Sequence, residues 1–170
     1  MTRFGFVLTT YAATLFVALS SLVRPAPKLL WNASASVPIG LYAVRRAPPL
    51  HVDELVVVQP PAPLAQLFAA RRYLPLGVPL VKRILALPGQ TVCRTRRAIV
   101  VDGITVGEAL ERDRLGRALP DWQGCRALTP GEVFVMNTVP PDSLDGRYFG
   151  PLPLTTIIGR ADPIWTYAEN

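Results

Sequence analysis

A chain of 170 residues fits one domain with a short appendage. Half of it is hydrophobic and 18% charged, which excludes disordered, collagen-like and coiled-coil chains. Two cysteines and one histidine exclude a four-ligand zinc site and leave almost nothing for histidine-based catalysis. The net charge of +6 suits an anionic surface. Its basic residues are scattered, with Arg94–Arg97 the densest stretch. No basic stripe with interleaved aromatics is present, so no direct nucleic-acid partner is expected.

Residues 4–23 carry no charge between Arg3 and Arg24. Twenty apolar residues span the roughly 30 Å hydrocarbon core at about 1.5 Å each. A retained membrane anchor competes with a cleaved signal peptide, for which Ala18-Leu19-Ser20 is a weak cleavage candidate. The full length and the Arg24–Lys28 stretch that follows favour the anchor. The expected division is 1–28 as anchor and linker and 29–170 as an exported domain. Flanking charge does not set the orientation, since Arg3 on one side faces Arg24 and Lys28 on the other.

Downstream the pattern is mainly strand. Glu54–Gln59 and Leu80–Leu87 are short apolar runs stopped by Pro60-Pro61 and Pro88-Gly89. Asp102-Gly103 between two β-branched runs predicts a hairpin over 98–106. Glu132–Asn137, Thr155–Gly159 and Pro163–Tyr167 read as further strands, and only Ala62–Arg72 reads as helix. The fold class is mainly β: a compact β domain after one transmembrane helix.

Three separated segments carry chemistry. Asn32–Tyr42 holds Ser34 and Ser36 a few residues beyond the membrane segment; by itself such a pair reads as a turn. On Leu80–Leu87, Lys82 shares a face with Leu80 and Ile84. A lysine on an apolar face is costly unless neutral or paired, and a neutral amine is a competent general base. Arg83 has apolar neighbours too, so the pattern does not choose between an inward Lys82 and an edge lysine with its head in water. In Pro141–Pro151, Asp145 and Arg147 flank a glycine as in a turn held by an ion pair, and Ser143 could hydrogen-bond a lysine.

In that order after an N-terminal anchor, the segments resemble the bacterial type I signal peptidases, and more fully their conjugative-transfer, TraF-type members. The resemblance rests on Ser36-Val37-Pro38-x-Gly40-Leu41-Tyr42, Tyr73-Leu74-Pro75-x-Gly77, Lys82-Arg83 with Leu87-Pro88-Gly89, and Asp145 to Leu152. It implies a signal-peptidase-like β domain with Ser36 as nucleophile and Lys82 as general base. Ser34 and the Ser36 N–H would form the oxyanion hole, Ser143 would orient the lysine, and Asp145 with Arg147 would be a structural ion pair. It implies no cofactor and no metal. The implied substrate is a conjugative pilin precursor, processed by release or by cyclisation. The implied place is the bacterial inner membrane, with the catalytic domain in the periplasm beside other mating-pair components.

Three departures mark the compact type. Pro38 follows Ser36 after one residue rather than two, the Gly-Asp-Asn of ordinary signal peptidases is reduced to Met136-Asn137, and Lys82 to Asp145 leaves little room for a large second β domain. The competing reading is a non-catalytic, membrane-tethered β domain of a secretion or mating-pair apparatus. Cys93 and Cys125, in an exported domain, are expected to form a disulfide, with Cys125 in a loop-like stretch. His51 reads as a surface residue.

Overall fold

The structure, a computed structural model, describes residues 2–20, 27–47 and 49–167. Helix α1, Arg3–Ser20, covers most of the apolar segment, with none of its residues buried. It is the single helix among the described residues long and apolar enough to cross a membrane. Positions 21–23 of that segment, with Arg24, lie outside the described residues.

The remaining chain builds two antiparallel sheets. The larger has seven strands in the order β1-β2-β11-β3-β4-β9-β10. These are β1 Leu29–Asn32, β2 Gly40–Arg45, β3 Leu55–Val58, β4 Leu80–Ala86, β9 Glu132–Val135, β10 Leu152–Pro153 and β11 Ile157–Thr166. The smaller has β5 Thr91–Thr95, β6 Ala98–Val101, β7 Ile104–Glu108 and β8 Gly124–Ala127, in the order β7-β6-β5-β8. It occupies the chain between Lys82 and Asp145, which leaves room for a small second sheet and not for a large domain.

β3 reads Leu-Val-Val-Val without alternation because both of its faces are covered. Val56 and Val58 pack with Ile84, Val133 and Val135 on one side. Val57 packs with Val37, Tyr42 and Val81 on the other. The three valines are fully buried, each stabilising by about 1.5–3 kcal/mol. Asp102 and Gly103 both take positive φ, 47° and 82°, as the tight hairpin between β6 and β7 requires.

Several expectations change. The strands read at 155–159 and 163–167 are one ten-residue strand, β11, whose register shifts between Pro163 and Trp165. Proline has no N–H for a ladder and is accommodated at such irregularities. The helix read over 62–72 is α2, Ala62–Ala70, and a one-turn helix α3, Gly146–Phe149, was not expected. The loop-like stretch around Cys125 is strand β8, with Cys125 directly opposite Cys93 on β5. Its four residues are all exposed, so they carry no alternation to read.

Gly40 opens β2 because β11 crosses it closely: a Cβ there would lie 2.2 Å from the Trp165 carbonyl oxygen. Gly146 is equally constrained, since a Cβ would meet the Phe134 ring at 2.6 Å and the Val135 carbonyl at 2.7 Å. These contacts seat the serine loop on the large sheet and press the Asp145 turn against β9.

Candidate active site

Ser34 and Ser36 sit in the turn joining β1 to β2. The side chain of Asn32, at the end of β1, shapes that turn from inside. Its Nδ2 donates to the carbonyls of Ser34 at 2.7 Å and Val37 at 3.0 Å. Its Oδ1 accepts from the Ser34 N–H at 3.2 Å and the Ser34 hydroxyl at 3.0 Å. That leaves the Ser34 oxygen facing Ser36 Oγ at 3.0 Å. Tyr42 adds a bond from its hydroxyl to the Pro38 carbonyl at 2.6 Å. Ser34 is exposed and Ser36 half-buried, so both hydroxyls are reachable from solvent.

Lys82 points inward, which settles the choice between it and Arg83. It is 2% exposed, pairs with Val56 across β3, and donates from Nζ to Ser143 Oγ at 2.8 Å. Arg83 points to the opposite face of β4 and stays partly exposed, donating to the Asp53 carbonyl. Burial pushes the Lys82 amine down to about 8; Asp145 pulls against this and Arg147 adds to it. At pH 7 about one lysine in ten is then neutral, far more than in water.

Beneath Ser143 lies a buried ion pair. Arg147 Nε and Nη2 each reach an Asp145 carboxylate oxygen at 2.9 Å, in the two-point geometry guanidinium favours. The remaining Arg147 protons go to the carbonyls of Pro141 at 2.7 Å and Asn137 at 2.6 Å. Asp145 also caps α3 by accepting from the Arg147 N–H. Both charges of the Asp145–Arg147 pair are met, as burial demands.

Four residues of this arrangement were not read as functional in the sequence: Asn32, Asn137, Arg94 and Trp122. Arg94 is buried, donates to the Arg147 carbonyl at 2.6 Å and pairs with Asp121 at 3.2 Å. Trp122 Nε1 donates to the Gly146 carbonyl at 3.0 Å. Both belong to the small sheet and its approach, beside Cys93 and Cys125, which are disulfide-bonded. An isolated arginine or tryptophan in a polar stretch gives no sign of such a partner. Asn32 opens the serine motif, and its spacing to Ser34 is that of a local side-chain turn.

The structure brings together Lys82, Ser143, Asp145 and Arg147 as one buried cluster, and Ser34 with Ser36 as a second pair. Among the described residues no hydrogen bond joins Ser36 directly to Lys82; Asn137 stands between their segments. The Tyr73 motif serves elsewhere. The Tyr73 hydroxyl donates to Asp113 at 2.5 Å and its ring lies 5.1 Å from the Arg117 guanidinium. That bond holds the Asp113 carboxyl well below the usual range and straps the long loop before β8 to the end of α2. His51 is exposed.

The model of the signal peptidase family, peptidase S26, matches residues 1–166. The chain belongs to that family. It is similar to the conjugal transfer protein TraF of Agrobacterium fabrum, 35% identical over 146 residues, covering 80% of this chain and 81% of that one. It is similar also to a plasmid transfer protein TraF of Escherichia coli, 32% identical over 148 residues and covering 80% and 82% of the two chains. A crystal structure of a signal peptidase I from Enterococcus faecalis V583 aligns with a TM-score of 0.40 at 17% identity, over 69% of this chain and 98% of that one.

Proposed function

We propose that this signal-peptidase family member is a membrane-anchored serine endopeptidase using Ser36 as nucleophile and Lys82 as general base. Its substrate is a conjugative pilin precursor. Residues 1–28 anchor the chain in the inner membrane and residues 29–170 form the catalytic domain on the periplasmic side. The observation that carries the reading is Lys82: a buried lysine, held at Nζ by Ser143 and lowered to about 8, in a fold that ties its strand to a reachable serine pair.

Neutral Lys82 takes the Ser36 hydroxyl proton as Oγ attacks the scissile carbonyl carbon. The tetrahedral intermediate collapses with the proton passing to the leaving amine, leaving an acyl-enzyme. Water, or an amine of the substrate itself, then attacks the ester and frees Ser36. Ser34 and the Ser36 N–H stabilise the oxyanion. The resting bonds, Ser36 to Ser34 and Lys82 to Ser143, rearrange when substrate enters; catalytic hydrogen bonds are commonly long before the substrate complex forms.

Exposed aromatics support work at the bilayer surface. Trp31 on β1 and Trp165 on β11 have rings 5.9 Å apart, and Tyr167 lies 4.8 Å from Trp165. All three are about half exposed, and tryptophan and tyrosine favour membrane interfaces. The test is co-expression with candidate pilin precursors, comparing intact substrate masses between wild type and Ser36→Ala. Processing by wild type alone supports the reading, and a mass lower by one further water indicates cyclisation. Processing that persists in Ser36→Ala leaves the non-catalytic reading of this domain.

A further inference from the structure

Strand β9 ends at Val135, yet its ladder with β4 continues. The Met136 N–H donates to the Arg83 carbonyl at 2.9 Å. The side chain of Asn137 then takes over, its Oδ1 accepting from the Arg83 N–H at 2.9 Å. From the other end of the same amide, Nδ2 donates to the Ser36 carbonyl at 2.7 Å. A carboxamide has the donor and acceptor of a peptide unit, and here it acts as one between β4 and the serine loop. The backbone of Asn137 is used as well. Its N–H donates to Asp145 at 3.0 Å and its carbonyl accepts from Arg147 at 2.6 Å. One residue, 3% exposed, thus bonds to all three chemistry-bearing segments.

Other contacts of the serine loop do not bond it to β4: the Tyr167 N–H, just past β11, holds the Ile39 carbonyl at 2.9 Å. Asn32 and Tyr42 belong to the loop's own hairpin, so they fix its shape and not its place. Val37 packs with Val57 and Val81, but apolar contact is non-directional. Of the hydrogen bonds described for Ser34 and Ser36, the one from Asn137 alone comes from outside that hairpin.

We propose that Asn137 is the positioning residue that sets the Ser36 loop in register with the strand carrying Lys82. The proposal rests on the Ser36–Lys82 reading. Asn137 touches no reacting atom; it acts through the Ser36 backbone. A displacement of about 1 Å between reacting groups costs about 10²-fold in rate, so the effect belongs in turnover and not in substrate affinity.

The test uses the purified full-length protein in detergent with the pilin precursor, comparing wild type, Ser36→Ala, Asn137→Ala and Asn137→Asp. Asn137→Asp keeps the acceptor for the Arg83 N–H and replaces only the donor to Ser36; Asn137→Ala removes both. Each Asn137 variant is expected to lose about 10- to 100-fold in kcat with KM within about twofold of wild type. Hydrogen exchange over residues 32–39 is expected to quicken in both, while β4 keeps its protection in Asn137→Asp. Wild-type kcat in Asn137→Asp, a loss confined to KM, or unchanged exchange over 32–39 overturns the proposal. If Ser36→Ala still processes the precursor, the parent reading fails instead, and the exchange result alone then decides whether Asn137 holds the loop.

Discussion

Lys82 Nζ donates to Ser143 Oγ at 2.8 Å inside the protein, joining residues 61 positions apart. The bond fixes the direction of an amine that burial has already lowered to about 8. As a base the lysine must be neutral, so activity should rise with pH through about 8 and level off above it. A pH–rate profile of precursor processing checks this; a midpoint near that of an ordinary lysine would contradict it. Ser143→Ala should cut kcat about 10- to 100-fold through lost orientation, leaving KM near wild type.

The same shift has a consequence for stability. Between about 8 and 10.5 the unfolded chain holds a proton on Lys82 that the folded protein has released. The contribution of Lys82 to stability therefore increases as pH rises across that window. Urea unfolding of wild type and Lys82→Met at pH 7, 9 and 10 should show the difference between them shifting toward wild type with pH. A difference that stays flat is the contrary result.

Ser36→Ala and Lys82→Ala should each abolish processing. Ser36 is half-buried in a turn held by Asn32 and Asn137, so removing its hydroxyl leaves the scaffold intact. Circular dichroism and thermal unfolding should show a folded domain for Ser36→Ala. Near wild-type cleavage by either variant removes the dyad.

Ser34→Ala should slow turnover by about 10²–10³ without abolishing it, the usual cost of one oxyanion donor. The Ser36 N–H remains, and the Asn32 bonds to the Ser34 backbone do not involve the lost hydroxyl. A loss as complete as that of Ser36→Ala would give Ser34 another role, and no loss would make it a turn residue only.

Asp145→Asn should destabilise the domain by about 3–5 kcal/mol, because it strands the buried Arg147 charge. It should also lower the pH midpoint of activity, since Asp145 is the charge holding the Lys82 value up. Chemical unfolding and a pH–rate profile measured well below the melting temperature separate the two effects. A midpoint that rises would show that Asp145 does not act on Lys82.

Reducing the Cys93–Cys125 bond, which spans a sequence separation of 32, should lower stability by about 3–4 kcal/mol on the chain-entropy estimate. A Cys93→Ser/Cys125→Ser double variant should unfold at the same denaturant concentration as the reduced protein. Identical midpoints with and without reductant would show that the bridge constrains little.

Much of this protein could be read from its sequence. The N-terminal apolar segment is contiguous, the Asp102-Gly103 hairpin is local turn chemistry, and β3, β4 and β9 are apolar runs long enough to stand out. The serine and lysine segments and the Asp145–Arg147 pair were visible because each has its own spacing. What the tertiary structure decided is non-local. Lys82 and Arg83 are adjacent with similar neighbours, and only the packing of the Ser143 segment over the lysine buries it, while Arg83 on the opposite face reaches out to Asp53. Strand β8 has four exposed residues and becomes a strand through β5, which supplies the missing backbone partners. Asn137 looked like the remnant of a longer motif. Its role exists only where β4, the serine loop and the Asp145 turn meet, since a carboxamide shows what it joins only when its partners are in place.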